Sequence, residues 1–221
     1  MRAEATGDEV ILLAGDGSRA VLSVPFPPLP RSAVDAGGGA VAGAADAADA
    51  ADAAAERIVA ADGADAERIV AALVEHAEAP RTLLALLVRR GGYASAVLTG
   101  DRVVASAVGR RHVQGRTAAG GWSQQRFARR REQQADRLVD AAVRAAAELL
   151  LPAAATAEAL VTGGDRPLVS RSLADRRLAG LARLARGPHL EVPDPRAAVV
   201  AELPRMVRLV PVRLEETGSA E

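Results

Sequence analysis

Read for alternation, the chain falls into short extended runs separated by helical stretches. Val10-Ile11-Leu12-Leu13 and Ala20-Val21-Leu22-Ser23-Val24 flank Gly15-Asp16-Gly17, the pattern of a β-hairpin closed by an Asp-Gly turn. The proline-rich run from Pro25 to Pro30 ends it, because proline cannot donate to a strand ladder. Residues 65–78 put Ile69, Val70, Leu73 and His76 at helical spacing ahead of Pro80. Three apolar runs follow: Thr82 to Val88, Tyr93 to Leu98 and Arg102 to Val108, with turns at Arg89-Arg90-Gly91-Gly92 and Gly100-Asp101. From Ser123 a stretch without Gly or Pro, rich in helix formers, predicts one long helix with Ser123 as N-cap that ends at Leu151-Pro152. Phe127, Leu138, Ala142, Ala145 and Leu149 share its apolar face, while Arg126, Arg129, Arg130 and Arg137 fall on another.

Beyond that helix the pattern predicts a strand over 159–162, a turn at Gly163-Gly164-Asp165-Arg166-Pro167 and a helix over 173–186. A strand at 189–192, a short helix at 196–202 and a last strand within 206–214 complete the reading. Strands interleaved with helices favour one α/β layer sandwich. Four segments result: an N-terminal hairpin (1–31) packing on the core, a low-complexity Ala, Asp and Gly linker or insertion (32–64), an α/β domain (65–216) and a tail (217–221). ERIV recurs at 56–59 and 67–70, which is a local duplication rather than a repeat architecture.

Composition narrows the possibilities. Hydrophobic content is 49% but aromatic content only 2%, so the core must be built from aliphatic side chains. With no cysteine there is neither a disulfide nor a thiolate metal site, and His76, His112 and His189 lack ligand spacing, so no metal is expected. His76 reads as a partly buried helix residue. No long apolar run and no signal-peptide pattern appears, and the default is a cytoplasmic protein without membrane contact.

Charge changes the picture most. The 23 residues from Gly109 to Arg131 carry seven arginines and no acid, so the rest of the chain, with 21 arginines against all 28 acidic residues, sums to about minus seven. Concentrating positive charge this way points to a polyanion, above all a phosphate backbone. Gly115 to Gly121 has few apolar anchors and reads as an exposed loop leading into a cationic helix start.

The run GGWSQQRFARRREQQADRLVDAA resembles the catalytic loop and following helix of the archaeal and eukaryotic peptide-chain release factors. It is more similar still to their Vms-type relatives, including the actinobacterial branch, which act on peptidyl-tRNA in stalled ribosomal complexes. In that group a glutamine follows a glycine at Gly-x-x-Gln spacing, matched here by Gly121-Trp122-Ser123-Gln124. Trp122 stands where the strict release factors have glutamine, which argues against ordinary stop-codon termination. The resemblance implies an RNase-H-like mixed sheet with flanking helices, a monomer without small-molecule cofactor, and as partners the large ribosomal subunit, its RNA and peptidyl-tRNA. It implies Gln124 as the functional glutamine, with Gln125 as second choice and Gly120 and Gly121 shaping the loop. Arg110, Arg111, Arg116, Trp122, Arg126, Arg129, Arg130 and Arg131 are then the RNA-binding set.

The chemistry is consistent with those residue types. Adjacent glycines let backbone approach RNA closely, and a neutral amide can orient a water or stabilise an oxyanion without repulsion from phosphates. Arginines hold phosphates and stack on bases. Three other readings remain open on the sequence: a ribosome- or tRNA-binding module without chemistry, a nuclease cutting the tRNA 3′ CCA end, and a hydrolase using Ser106, Asp101 and His112. The last lacks a nucleophile-elbow context.

Overall fold

The computed structural model describes residues 1–30, 58–60, 63–110 and 123–215, with backbone alone at 58–60, 65 and 123–128. The chain divides into two units, residues 1–79 with 208–221, and residues 80–207.

The first unit is an antiparallel sheet in the order β10-β3-β2-β1-β4. Its strands are β1 (Arg2–Ala5), β2 (Glu9–Leu13), β3 (Arg19–Ser23), β4 (Ile58–Ala60) and β10 (Val212–Glu215). The expected hairpin is β2 and β3, in register from Glu9↔Ser23 to Leu13↔Arg19. Gly17 adopts φ 87° in its turn, and the Asp16 carboxylate accepts from the Ser18 amide at 2.9 Å. The helix Gly63–Glu78 buries Ile69 and Leu73 with Ala3, Ala5 and Val10. His76 turns inward, Nε2 lying 3.0 Å from the Pro25 carbonyl oxygen and 3.1 Å from that of Phe26. The sequence reading assigned this helix and the last strand to the α/β domain. The contacts group them instead with the hairpin, because the helix closes a separate core and β10 pairs with β3 from Val212↔Leu22 to Glu215↔Arg19.

The second unit is an α/β body. β5 (Thr82–Arg89), β6 (Gly92–Thr99), β7 (Arg102–Arg110), β8 (Ala159–Gly164) and β9 (Ala185–Leu190) form a mixed sheet in the order β7-β6-β5-β8-β9. β5, β6 and β7 are antiparallel neighbours, whereas β8 and β9 continue parallel to β5. The third-second-first-fourth-fifth order is that of the expected RNase-H-like sheet. β5 is central, so both faces of Leu83 to Val88 are buried, and it reads as an unbroken apolar run. At the edge, β7 alternates between exposed and half-buried positions.

The long helix Ser123–Ala153 covers one face, joining the end of β7 to the start of β8. Leu138, Val139, Ala142, Val143, Ala146 and Leu150 pack there with Leu84, Leu86, Val88 and Val97. Pro152 lies inside its last turn rather than before it; loss of one amide donor that late ends the helix within a residue instead of preventing the turn.

The predicted helix over 173–186 is not formed. Asp165 caps a helix at Arg166–Leu173, accepting from the Leu168 amide at 3.4 Å. Asp175 then caps a 3₁₀ turn at Arg176–Leu181, accepting from the Arg177 amide at 2.9 Å. Two aspartates capping in succession break the run into two short pieces, although Leu178, Leu181 and Leu184 still face the core as expected. Gly187-Pro188 lies within β9, tolerated because β9 is an edge strand. The helix Ala197–Met206 runs longer than expected and packs against β6 and β7.

Candidate nucleic-acid interface

β5, β7, β8 and β9 all point their C-terminal ends the same way, so one end of the sheet gathers Arg89 and Arg90, Arg110, the β8 turn at Gly164-Asp165-Arg166, and the entry of the long helix. Backbone is packed tightly there. A Cβ on Gly92 would stand 2.5 Å from the Gly109 carbonyl oxygen, and one on Gly109 would collide with the Tyr93 ring. Gly164 has φ +94° and its Cβ would strike the Val88 carbonyl. These contacts fix the ends of β6, β7 and β8 on either side of the helix entry.

A helix of 31 residues is about 46 Å long, whereas the eight residues of β5 span about 26 Å. The burial pattern shows where the excess lies. Ala154 is buried just past one end, and Leu138 is the first buried residue from the other among those described; none of residues 129–137 is buried. The N-terminal part of the helix is therefore an arm: the helix is longer than β5 requires, residues 129–137 are exposed or half-buried, and Ala135 together with the Glu132 and Asp136 contacts braces it against the body at the strand ends that carry Arg90 and Arg110.

The arm carries its charges in two groups. Glu132, Asp136 and Asp140 recur every four residues and face the short helices. Arg171 binds Glu132 at 3.1 Å and also contacts Asp136, while Arg177 reaches Asp140 at 2.9 Å. Its acids are thereby spent on its own scaffold. Arg110, Arg129, Arg130, Arg131 and Arg166, by contrast, have no acidic partner among the described residues, and all but Arg131 are exposed.

The Asp140 carboxyl is held below the ordinary range by hydrogen bonds from Arg144 and then Arg177. Asp175 is pulled down to about 2, first by the Arg177 guanidinium and then by the Arg177 amide. A carboxylate depressed in the folded state adds stability that is complete above its ordinary value of 3.8 and is lost as pH falls towards 2. Carboxyl-carbon NMR is expected to place the Asp175 midpoint near 2, and Arg177→Ala to move it up towards 3.8; a midpoint unmoved by that substitution would remove the Arg177 contact as the cause.

Of the residues singled out in the sequence, Arg110, Arg129, Arg130 and Arg131 meet at this end of the molecule. Gln124, Gln125 and Arg126 belong to the first turn or so of the arm, described by backbone alone. Gly120, Gly121, Trp122, Arg111, Arg116 and the loop Gly115–Gly121 lie outside the described residues. Ser106 and Asp101 are not brought together: five residues of extended β7 separate them by about 16 Å, and His112 is outside the described residues. His189 accepts from or donates to Thr162 Oγ1 at 3.0 Å and lies 3.2 Å from the Gly164 carbonyl, so both ring nitrogens are engaged. Sequence reasoning missed Arg90 and Arg166, which it placed in turns, and Arg171, whose partners Glu132 and Asp136 lie 39 and 35 positions earlier in the chain.

The model of the Actinobacteria/chloroflexi VLRF1 release factor family matches residues 81–213, which is more than half of the chain. The chain belongs to that family. Among solved structures, this VLRF1-family chain is similar to the archaeal translation termination factor aRF1, with 16% identity and a TM-score of 0.40 over 57% of its own length. It spans 37% of the length of that factor. A comparison with curated proteins gives no match. The match to the VLRF1 family covers all of the α/β body described above except Pro80, and ends within β10. No described helix is long and apolar enough to cross a membrane.

Proposed function

We propose that this VLRF1-family protein is a peptidyl-tRNA hydrolase that frees nascent chains from tRNA on stalled large ribosomal subunits. The observation that carries the reading is the arm: a helix about 20 Å longer than the central strand it packs on, following Gly120 and Gly121 in the chain, with Arg129 and Arg130 exposed and unpaired by acid among the described residues, in a release-factor family member. Such an arm can enter a narrow RNA-walled cavity that the body of the protein cannot.

In this mechanism the peptidyl ester carbon is attacked by a water that Gln124 orients through its side-chain amide, with Gln125 as the alternative group. The ester C–O bond breaks, one proton of the water passes to the tRNA 3′ oxygen to give its hydroxyl, and the peptide leaves as a carboxylate with the second proton going to solvent. Gly120 and Gly121 allow close backbone approach, Trp122 stacks on a base, and Arg110, Arg111, Arg116, Arg126, Arg129, Arg130 and Arg131 hold phosphates. The protein acts in the cytoplasm as a monomer, since one arm supplies every proposed group.

The test is incubation of the purified protein with ribosome-bound peptidyl-tRNA, followed by analysis of both products. Free peptide with an intact CCA end is the expected result. A shortened tRNA end would replace hydrolysis by nuclease action, and tight, salt-sensitive binding without turnover would reduce the protein to an RNA-binding module.

A further inference from the structure

Between the root of the arm and the end of the sheet lies a cleft of about 560 Å³ of which the release mechanism uses only Arg131. That volume is within the range of small-ligand sites. Its apolar wall is Ala135, Leu138, Pro167 and Leu168, of which Leu138 and Leu168 are buried and Pro167 is exposed at the mouth. Three arginines and two acids complete the lining, and their balance is uneven. Arg171 is already held by Glu132 and Asp136, and Arg90 Nε stands 4.0 Å from the Asp165 carboxylate. Arg131 is half-buried in this cleft and has no acidic partner among the described residues. A guanidinium partly withdrawn from water without a counter-ion favours an anion beside it.

An apolar slot with one uncompensated guanidinium at its side matches a single nucleotide: a flat base to cover the aliphatic wall and a phosphate for the cation. We propose that the cleft takes one unpaired RNA nucleotide, its base against Ala135, Pro167 and Leu168 and its phosphate on Arg131. Paired bases cannot enter, because the wall needs an exposed ring face. Arg131 is seven residues from Gln124, about 10 Å along the helix, so the cleft would grip the strand behind the arm's tip and set how far the arm advances. The inference rests on the reading of this end as an RNA interface, and it is tested without ribosomes or catalysis.

The probe is a fluorescein-labelled adenosine pentamer, followed by anisotropy. Arg131→Glu is expected to weaken binding about tenfold or more. Pro167→Glu, at the exposed mouth, is expected to do the same without touching the core. Arg183→Glu, an equal charge change on an exposed residue away from the cleft, should have a much smaller effect, and adenosine monophosphate should compete. Equal losses in the Arg131 and Arg183 variants, or equal affinity for the pentamer when annealed to its complement, would overturn the proposal. Two unlabelled pentamers, one ending in CCA and one with CCA internal, separate the sources: preference for the free end identifies the tRNA acceptor, and equal competition an internal stretch of ribosomal RNA. Loss of release in a Gln124 variant with pentamer binding intact separates the two sites; intact release with no pentamer binding removes the cleft alone.

Discussion

Gln124→Ala is expected to slow peptide release from stalled nascent-chain complexes by about a hundredfold or more, the range for removing one aligned polar group from a reacting centre. Binding to the same complexes should stay as it is, because alanine carries no charge to repel RNA. Alanine is also a better helix former than glutamine, so the start of the arm persists and the loss cannot be ascribed to unfolding. Single-turnover release and sedimentation with the ribosomal particle measure the two quantities separately. Undiminished release would take Gln124 out of the mechanism, and release by a variant lacking both Gln124 and Gln125 would end the glutamine mechanism altogether.

The second large effect is electrostatic. Arg129 and Arg130 are exposed and unpaired by acid among the described residues, one turn beyond the Arg171 and Glu132 contact. Reversing both to glutamate should weaken binding to ribosomal particles on the order of a hundredfold near 0.1 M salt. The plot of log affinity against log salt should flatten by roughly 1.5 units, since each lost phosphate contact removes about 0.7–0.9. Neither residue is buried, so thermal stability should hardly change. An unaltered salt slope would show that these two side chains do not meet phosphate.

Much of this architecture was legible in the chain because its strongest signals are local. The runs at 82–88, 93–98 and 102–108 each appear as strands to within two residues, since a buried central strand and its turn glycines leave a pattern that tertiary context does not alter. The start at Ser123 emerged for the same reason: the 29 residues from Ser123 to Leu151, helix formers without a breaker, admit few alternatives. The region 165–190 was misread. Its leucines keep helical spacing, but Asp165 and Asp175 make caps whose competition with a continuous helix is settled by small energies and by packing against the arm. β1 escaped notice because its inward residues are Ala3 and Ala5, too small to stand out as apolar.

The candidate site was legible only along its length. Arg110, Arg129, Arg130 and Arg131 stand out as a charge run, but the acids that balance the arm come from one helix while their cations, Arg171 and Arg177, come from residues some 35 to 39 positions later. No pattern of spacing shows which arginines such pairing consumes and which it spares.

The arm is in effect a cantilever. Its buried portion begins at Leu138, and the stretch from Ser123 to that point is about 22 Å long, held along the way by the Arg171 contacts, so a tilt at the root is carried to the tip. The salt link from Arg177 to Asp140 sits at the root, and those from Arg171 to Asp136 and Glu132 run outward along the arm. Weakening them would leave the tip's chemistry untouched and spoil its aim.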